Sequence, residues 1–278
     1  MKLGILYDRI RKDEKRIKKA AESKGIEVEL ICAKKLTFAL EKNNFDYDLV
    51  LERCINHARA MYSLNILNEH GVRTINTYET AKICGSKFMV TESLLQNKVP
   101  TPKVIIAFTP KKALGAIEKL GYPCVIKPAV GSWGTLLAKI NDRESAEAII
   151  AHKKILGSYQ HSVYYIQEYV RKPGRDIRVF VIGDKVVDAV YRTSRHWITH
   201  QDKGAILSKC PITEEIRKIA LDASKAVKGD FVAVDIVESD SGLQVIEVEY
   251  TVEFSKFFPV LDSSIVDELI KYIRKVEK

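Results

Sequence analysis

The chain has 278 residues, 46% hydrophobic and 29% charged, which describes a soluble globular protein of one large or two to three small domains. No apolar run approaches the roughly 20 residues that cross a bilayer, and the N-terminus MKLGILYDRIRKDEKR runs straight from a short apolar stretch into charge, which excludes an obvious signal peptide. Its five cysteines, Cys32, Cys54, Cys84, Cys124 and Cys210, are scattered and never form CxxC, so a reducing cytoplasm is expected, and the net charge of +9 needs an explanation.

KLGILY predicts a strand, after which Ile10, Ile17, Ala20 and Ala21 recur at helical spacing. In that helix, RIRKDEKRIKKAAESK interleaves bases with acids, whereas a nucleic-acid protein concentrates Lys and Arg with aromatics or a recognisable module. The charge is therefore read first as solvated helix faces and second as complementarity to an acidic partner or anionic ligand; nucleic acid and membrane are not expected. EVELIC and DYDLVLERC follow as strands, residues 58 to 70 as a helix and VRTIN as a strand. Alternating units of this length imply a parallel sheet with helices on its faces, an α/β domain over residues 1–85.

SKFMVTESLLQNK is amphipathic and ends before VPTP, whose prolines stop a helix. A strand at KVIIAF, a helix from Lys111 to Leu120 left through Gly121, a strand at PCVIKP, the loop AVGSWGT and a strand at LLAKI form a central domain over residues 86–160. The remainder, 161–278, is strand-rich: VYYIQEYV, DIRVFVIGDKVVDAVYR and FVAVDIVESDSGLQVIEVEY, with GD and SDSG as hairpin turns and helices near 213–227 and 262–276 flanking the sheet. The fold class is α/β, with α+β character in the C-terminal part.

Four groups of residues can carry chemistry. Lys127 ends a strand before a loop with two glycines, Gly131 and Gly134; glycines let backbone N–H groups approach phosphate oxygens, although a plain hairpin turn gives the same pattern and GxxxxGK[ST] is absent. Arg171, Lys172, Arg175 and Arg178 surround Asp176 in QEYVRKPGRDIRVFV, either as a surface ion-pair cluster or as part of a nucleotide site with QEYV at the base and Asp176 near the sugar. In VIEVEYTVEF, alternation puts Val245, Glu247 and Glu249 on one strand face and Ile246, Val248 and Tyr250 on the other. With Asp235 on the preceding strand, Glu247 and Glu249 make a cluster that either a hard divalent cation or Lys and Arg neutralise. His196 and His200 are four apart, but Trp197, Ile198 and Thr199 favour an extended polar loop over a zinc site.

The order of these features along the chain resembles the ATP-grasp ligases: Lys87 opening a helix, Lys127 with the glycine loop, QEYV with GRDIR, Arg192 in VYRTS, then Asp235 and EVE. Within them nearly the whole chain is similar to the LysX family, which joins α-aminoadipate to the carrier protein LysW; ILYDRIR, LERC, GYPCVIKPAVGSWG, YIQEYVRKPGRDIRVFVIGDKVV, HWIT, CPITEE and TVEF carry the likeness. The resemblance implies a three-domain ATP-grasp fold with an N-terminal pre-ATP-grasp domain and a carboxylate–amine ligation through an acyl-phosphate on the C-terminal glutamate of the carrier. It implies ATP and Mg²⁺ as cofactors, with Lys87 and Lys127 on the phosphates, Gly131, Ser132, Trp133 and Gly134 as a covering loop, Gln167, Glu168, Tyr169 and Val170 at the adenine, Asp176 at the ribose and Arg178 beside it. Asp235, Glu247 and Glu249 take the metal positions; Arg192 and Lys127 are the catalytic candidates; Arg192, Thr199, His200, Thr251, Glu253 and Phe254 face substrate. Partners are an amino acid and an acidic LysW-like carrier, to which a basic ligase is complementary, and the expected assembly is a homo-oligomer, dimer or tetramer.

The chain departs from that pattern in several places. Glu249 stands where the family has Asn, HQDKGA replaces a stretch close to NTARGG so that His200 and Lys203 stand for Asn and Arg, Tyr250 replaces His, and the segment after TVEF is short. The alternatives are glutamate as the amino acid, for arginine biosynthesis or RimK-like glutamylation, and a catalytically impaired relative that regulates.

Overall fold

Strands β1 (Lys2–Tyr7), β2 (Glu27–Cys32), β3 (Leu49–Arg53) and β4 (Thr74–Ile75) form a parallel sheet in the order β2-β1-β3-β4. This computed structural model describes every residue except 42–43, 131–135, 158–161, 201–202, 262–263 and 278. The interiors of β1 and β3 are buried on both faces, as a parallel strand between two helical layers requires. Leu3 and Ile5 pack with Ile17 and Ala21 of α1 (Lys12–Ser23), while Leu6 packs with Ala60, Leu64 and Leu67 of α2 (His57–Glu69). Each such fully buried Leu or Ile contributes roughly 1.5–3 kcal/mol. α2 starts where Asn56 Oδ1 accepts the Arg59 N–H (2.9 Å), satisfying one of its orphan donors. A short helix, α3 (Tyr78–Cys84), capped by Thr77, leads to α4 (Lys87–Gln96), capped by Ser86.

The central sheet is antiparallel: β5 (Val104–Ala107), β8 (Tyr164–Glu168), β6 (Cys124–Lys127) and β7 (Ala138–Ile140), in that order. Helices α5 (Pro110–Leu120) and α6 (Arg143–Leu156) cover one face, and the layers share a core that includes Ala113, Ile117, Ala146, Ile150, Tyr164 and Ile166. β8 corrects the sequence expectation, which assigned VYYIQEYV to the C-terminal sheet: Gln167 pairs with both Val104 and Val125, so the chain crosses back into the central sheet before leaving it. The strand's own apolar run carries no information on which distant edges it joins.

The C-terminal sheet is antiparallel in the order β11-β10-β9-β12-β13, from β9 (Arg175–Ile182), β10 (Lys185–Thr193), β11 (Ile206–Lys209), β12 (Phe231–Ser239) and β13 (Gly242–Glu249). One face, with Val179, Val181, Val232 and Val234, packs under α7 (Glu214–Ala226) and α4. On the other, Phe180, Ile182, Phe231 and Ala233 join Leu269, Ile270 and Ile273 of α8 (Ile265–Val276) and merge with Leu3, Ile5 and Leu51 into one core. Asn76, 1% exposed, seals this junction: its Nδ2 donates to the carbonyls of Phe231 (2.7 Å) and Tyr250 (2.8 Å), and its Oδ1 accepts from the N–H groups of Asp230 (2.8 Å) and Phe231 (2.9 Å).

The strict alternation expected for VIEVEY does not hold. Ile236 pairs with Val245 and Asp235 with Glu247, which leaves Ile246 as the extra residue of a β-bulge. Val245 consequently enters the core beneath α7, and Ile246 joins Glu247 and Glu249 on the other side.

Candidate active site

The face of the C-terminal sheet that buries Phe180, Phe231 and Ala233 turns charged at its end. Asp176 and Arg178 on β9, Arg192 on β10 and Asp235 on β12 follow the same side-chain parity and are each at least 95% buried. Register sets the pairings: Arg178 lies across from Asp235, Arg192 from Asp176, and Asp235 from Glu247. Arg178 binds both oxygens of Asp235 (2.8 and 2.8 Å) and reaches Glu249 (3.0 Å). Arg192 binds both oxygens of Asp176 (2.7 and 2.9 Å) and reaches Asp235 (2.9 Å). Lys87 Nζ contacts Glu247 (2.8 Å), while Lys172 Nζ donates to Thr199 Oγ1 (2.7 Å), whose hydroxyl donates to Asp176.

Burial resists every one of these charges, and the partners decide which survive. Asp235 is held well below the usual carboxylate range because Arg178 and Arg192 outweigh its desolvation. Glu247 is also lowered against its burial, chiefly by Lys87. Glu249 is raised: burial, with Asp235 and Glu247 nearby, exceeds what Arg178 returns. Burial, with Lys87 and Lys172 adding, pushes the Lys127 ammonium down to about 8 despite Glu247. Oxygens of Asp235, Glu247 and Glu249 lie within 4.8 Å of one another, a hard-donor set that suits Mg²⁺. Arginine and lysine partners hold these carboxylates, whose oxygens also converge. Lys87, Lys127, Lys172, Arg178 and Arg192 thus face Asp176, Asp235, Glu247 and Glu249 across one cluster of opposite charges.

Two cavities meet at this cluster. The smaller, about 110 Å³, lies between the central and C-terminal sheets and brings together Lys127, Gln167, Glu168, Tyr169, Val170, Asp176 and Arg178, with Leu137, Trp197, Val237 and Ile246 as apolar walls. Glu168 lines it while its carboxylate accepts the Lys103 N–H (2.9 Å), and the Tyr169 ring carries Lys139 Nζ at 4.0 Å. Gly131, Ser132, Trp133 and Gly134 lie outside the described residues. The larger cavity, about 330 Å³, lies between the N-terminal sheet and the C-terminal one; Arg178, Arg192, His200, Glu247 and Glu249 border both. Thr251 and Glu253 line it, and the Thr251 hydroxyl donates to Glu52 (2.9 Å), whose carboxyl burial raises to about 7.

Of the residues expected to face substrate, Arg192, His200, Thr251 and Glu253 line the larger cavity and Thr199 the smaller, which Arg192 and His200 also border. Phe254 lines neither: it is fully buried between Phe231 and Phe258, because a large ring gains more from the shared core than from a polar wall.

Residues 84–273 match the model of the RimK-like ATP-grasp domain, and residues 3–83 that of the LysX preATP-grasp domain. The chain belongs to the RimK-like ATP-grasp family. Among curated relatives, the glutamate–LysW ligase ArgX of Sulfolobus acidocaldarius is 31% identical over 277 residues, covering 99% of this chain and 98% of the relative. The α-aminoadipate–LysW ligase LysX of Sulfurisphaera tokodaii is 33% identical over 284 residues, with 100% and 99% covered. Among solved structures, a RimK domain ATP-grasp protein from Sphaerobacter thermophilus superposes with a TM-score of 0.84 at 21% identity, covering 98% of this chain and 99% of that one.

In this ATP-grasp ligase the larger cavity holds residues that sequence reasoning did not single out. Arg11 and Asn56 come from the loops after β1 and β3, His57 from the first turn of α2, and Lys256 from the turn after Glu253. The signal available was positional: loops at the carboxyl ends of parallel strands are where such sheets bind ligands. His57 Nδ1 is hydrogen-bonded to Tyr250 Oη (2.8 Å) across the domain junction, and burial lowers its pKa. Among the described residues no helix is long and apolar enough to cross a membrane.

Proposed function

We propose that this ligase joins the amine of α-aminoadipate to the C-terminal glutamate carboxylate of an acidic LysW-type carrier, using ATP and Mg²⁺, as a step of lysine biosynthesis in the cytoplasm. The observation that carries the reading is the meeting of two cavities at one cluster of acids and arginines, which suits a nucleotide on one side and a second substrate on the other. The similarity to LysX over the whole chain supports the pairing of amino acid and carrier. The free state of all five cysteines supports a reducing compartment.

A carboxylate is a poor electrophile, and bound MgATP supplies the phosphoryl group that makes it a good one, the metal offsetting phosphate charge. Asp235, Glu247 and Glu249 would hold the metal, and Lys127 would lie against phosphate oxygens. Gln167, Tyr169 and Val170 would flank the base, with Asp176 toward the ribose. Arg192, fixed by two carboxylates and bordering both cavities, would orient the carboxylate under attack. The amine nitrogen then forms its bond to the acyl carbon, phosphate leaves with the C–O electron pair, and the surplus amine proton passes to water.

Glutamate is the second reading, favoured by the ArgX likeness at nearly the same identity. Incubating protein, ATP and Mg²⁺ with a LysW-type carrier and each amino acid in turn, and following ADP and carrier mass, separates the two. The carrier should gain one aminoadipate residue; ATP binding with no mass gain from any amino acid would refute both readings.

A further inference from the structure

Strand β3 reads LVLER, and all of its residues are buried, so Glu52 carries a carboxylate into the interior near the strand's carboxyl end. Several buried acids of this protein have cationic partners: Glu14 contacts Arg53 (3.0 Å) and Arg11 (2.8 Å), Asp8 contacts Arg59 (2.8 Å), and Asp235 lies between Arg178 and Arg192. Glu52, 2% exposed, is held by hydrogen bonds alone among the described residues: one oxygen accepts the Cys54 N–H and the other accepts from the Thr251 hydroxyl (2.9 Å). A buried carboxylate without an ion pair is disfavoured as an anion, which suits a group that takes up and returns a proton near neutral pH. Burial raises its pKa to about 7 against Thr251, Arg53, the Cys54 N–H and Arg11, all of which favour the carboxylate. Tyr250 faces it from the turn after β13, and Asp8, from the same loop as Arg11, bears with Glu52 on the Cys54 thiol.

Thr251, not Glu52, borders the larger cavity. A hydroxyl has one donor and two acceptor lone pairs. Its donor goes to Glu52, and the Tyr250 phenol, which also bonds His57 Nδ1 (2.8 Å), occupies one acceptor position, so a second remains for a ligand. Thr251 stands two residues past Glu249, which keeps their Cα atoms within about 7 Å. The hydroxyl is therefore close to the acids that would hold the metal of the phosphoryl donor.

An amine near neutral pH is an ammonium ion and has no lone pair to offer an acyl carbon. We propose that Thr251 and Glu52 form a proton relay that converts this ammonium ion into the attacking amine. One N–H bond breaks as its proton moves to Thr251 Oγ1, the hydroxyl's own proton moves to the Glu52 carboxylate, and the N–H electron pair stays on nitrogen. Nitrogen and Glu52 both become neutral, and after ligation Glu52 returns the proton by the reverse path to water that refills the cavity. The second proton, lost as the amide forms, is the one that passes directly to water. Thr251 touches the substrate, and Glu52 acts only through it. The inference rests on the ligase reading and on the larger cavity receiving the amine.

The test follows ADP release with a LysW-type carrier, using as nucleophile either the amino acid that the wild type accepts, L-2-aminoadipate or L-glutamate, or hydroxylamine. Hydroxylamine is mostly unprotonated at pH 7 and needs no relay. In Glu52→Gln the kcat with the amino acid at pH 7 should fall about 100-fold, the low end of general acid–base catalysis. The KM for ATP should change less than twofold, and the kcat with hydroxylamine should fall less than threefold. Wild-type kcat with the amino acid should climb as pH passes about 7 and then level off, whereas in Glu52→Gln it should keep climbing as free amine accumulates. Thr251→Val, which has the same shape without the hydroxyl, should repeat the contrast between nucleophiles and carries the comparison should Glu52→Gln melt early. Thr251→Ser should recover most of the rate that Thr251→Val loses. An equal fall with both nucleophiles, or a fall below threefold with the amino acid in both Glu52→Gln and Thr251→Val, would overturn the relay while leaving the ligase reading intact. If the wild type releases ADP with neither nucleophile, the ligase reading fails and the relay falls with it.

Discussion

Replacing Asp235 by Asn tests the charged end of the sheet most directly. The residue is 4% exposed and accepts three short bonds from two buried arginines, two from Arg178 (2.8 Å each) and one from Arg192 (2.9 Å). Removing one partner of a buried ion pair costs about 3–5 kcal/mol, because the surviving charge stays desolvated. The lower end applies here, since Arg178 keeps Glu249 (3.0 Å) and Arg192 keeps both oxygens of Asp176. The folded-state pKa of Asp235 is depressed, so its contribution is present above the unfolded carboxylate pKa and is lost only as pH falls through the folded one. The full cost of about 3 kcal/mol should therefore appear at pH 7, as a melting temperature lower by roughly 6–12 °C for a chain of this size. Mg²⁺-dependent turnover should disappear in parallel. An unchanged melting temperature at pH 7 would show that the arginines are satisfied without Asp235, and unchanged turnover would refute its place among the metal ligands.

Three further outcomes can be measured. Lys127 has a folded pKa near 8, below its unfolded value of about 10.4, so ligand-free stability gains a contribution as pH rises between them, while the cation proposed to meet phosphates is lost above 8. The Kd for ATP should rise across pH 8 to 9.5 by at most about tenfold per pH unit, and Lys127→Met should bind weakly with a flat profile; a steep profile in the variant would assign the titration elsewhere. Asn76→Ala orphans the N–H groups of Asp230 and Phe231 and should cost about 3 kcal/mol in urea unfolding, at roughly 1–3 kcal/mol per unsatisfied buried donor. Glu249→Asn removes the carboxylate whose pKa burial raises, leaves Asp235 on Arg178, and should retain or increase metal-dependent turnover; complete loss would show that the site needs the third charge.

What the sequence conveyed depended on the range of the interaction. Elements with a cap and a clear period were legible, such as α2 behind Asn56 and α5 behind Thr109 and Pro110. α6 is absent from the expected elements even though Asp142 and Ser145 form its N-terminal cap. The acid pair on β13 was legible as a pair, but the bulge at Ile246 was not, since a one-residue insertion follows from cross-strand register with β12 and leaves no mark in its own strand. The larger cavity was least visible. Arg11 and Tyr250 are separated by most of the chain, and only folding sets residues from both ends of it around a common void.

The central sheet keeps its own core, separate from the one that fuses the N-terminal sheet with β9 and β12. Cooperative units of opening tend to follow such boundaries. Amides of β6 and β8 should thus exchange with solvent through an opening of their own, at a lower free energy than those of β9 and β12. A ligand that fills the cleft between Lys127 and Asp235 touches both units, so its binding energy adds to the opening cost of the weaker one by mass action. Slower exchange deep within α5, far from any ligand contact, would be the record of that coupling.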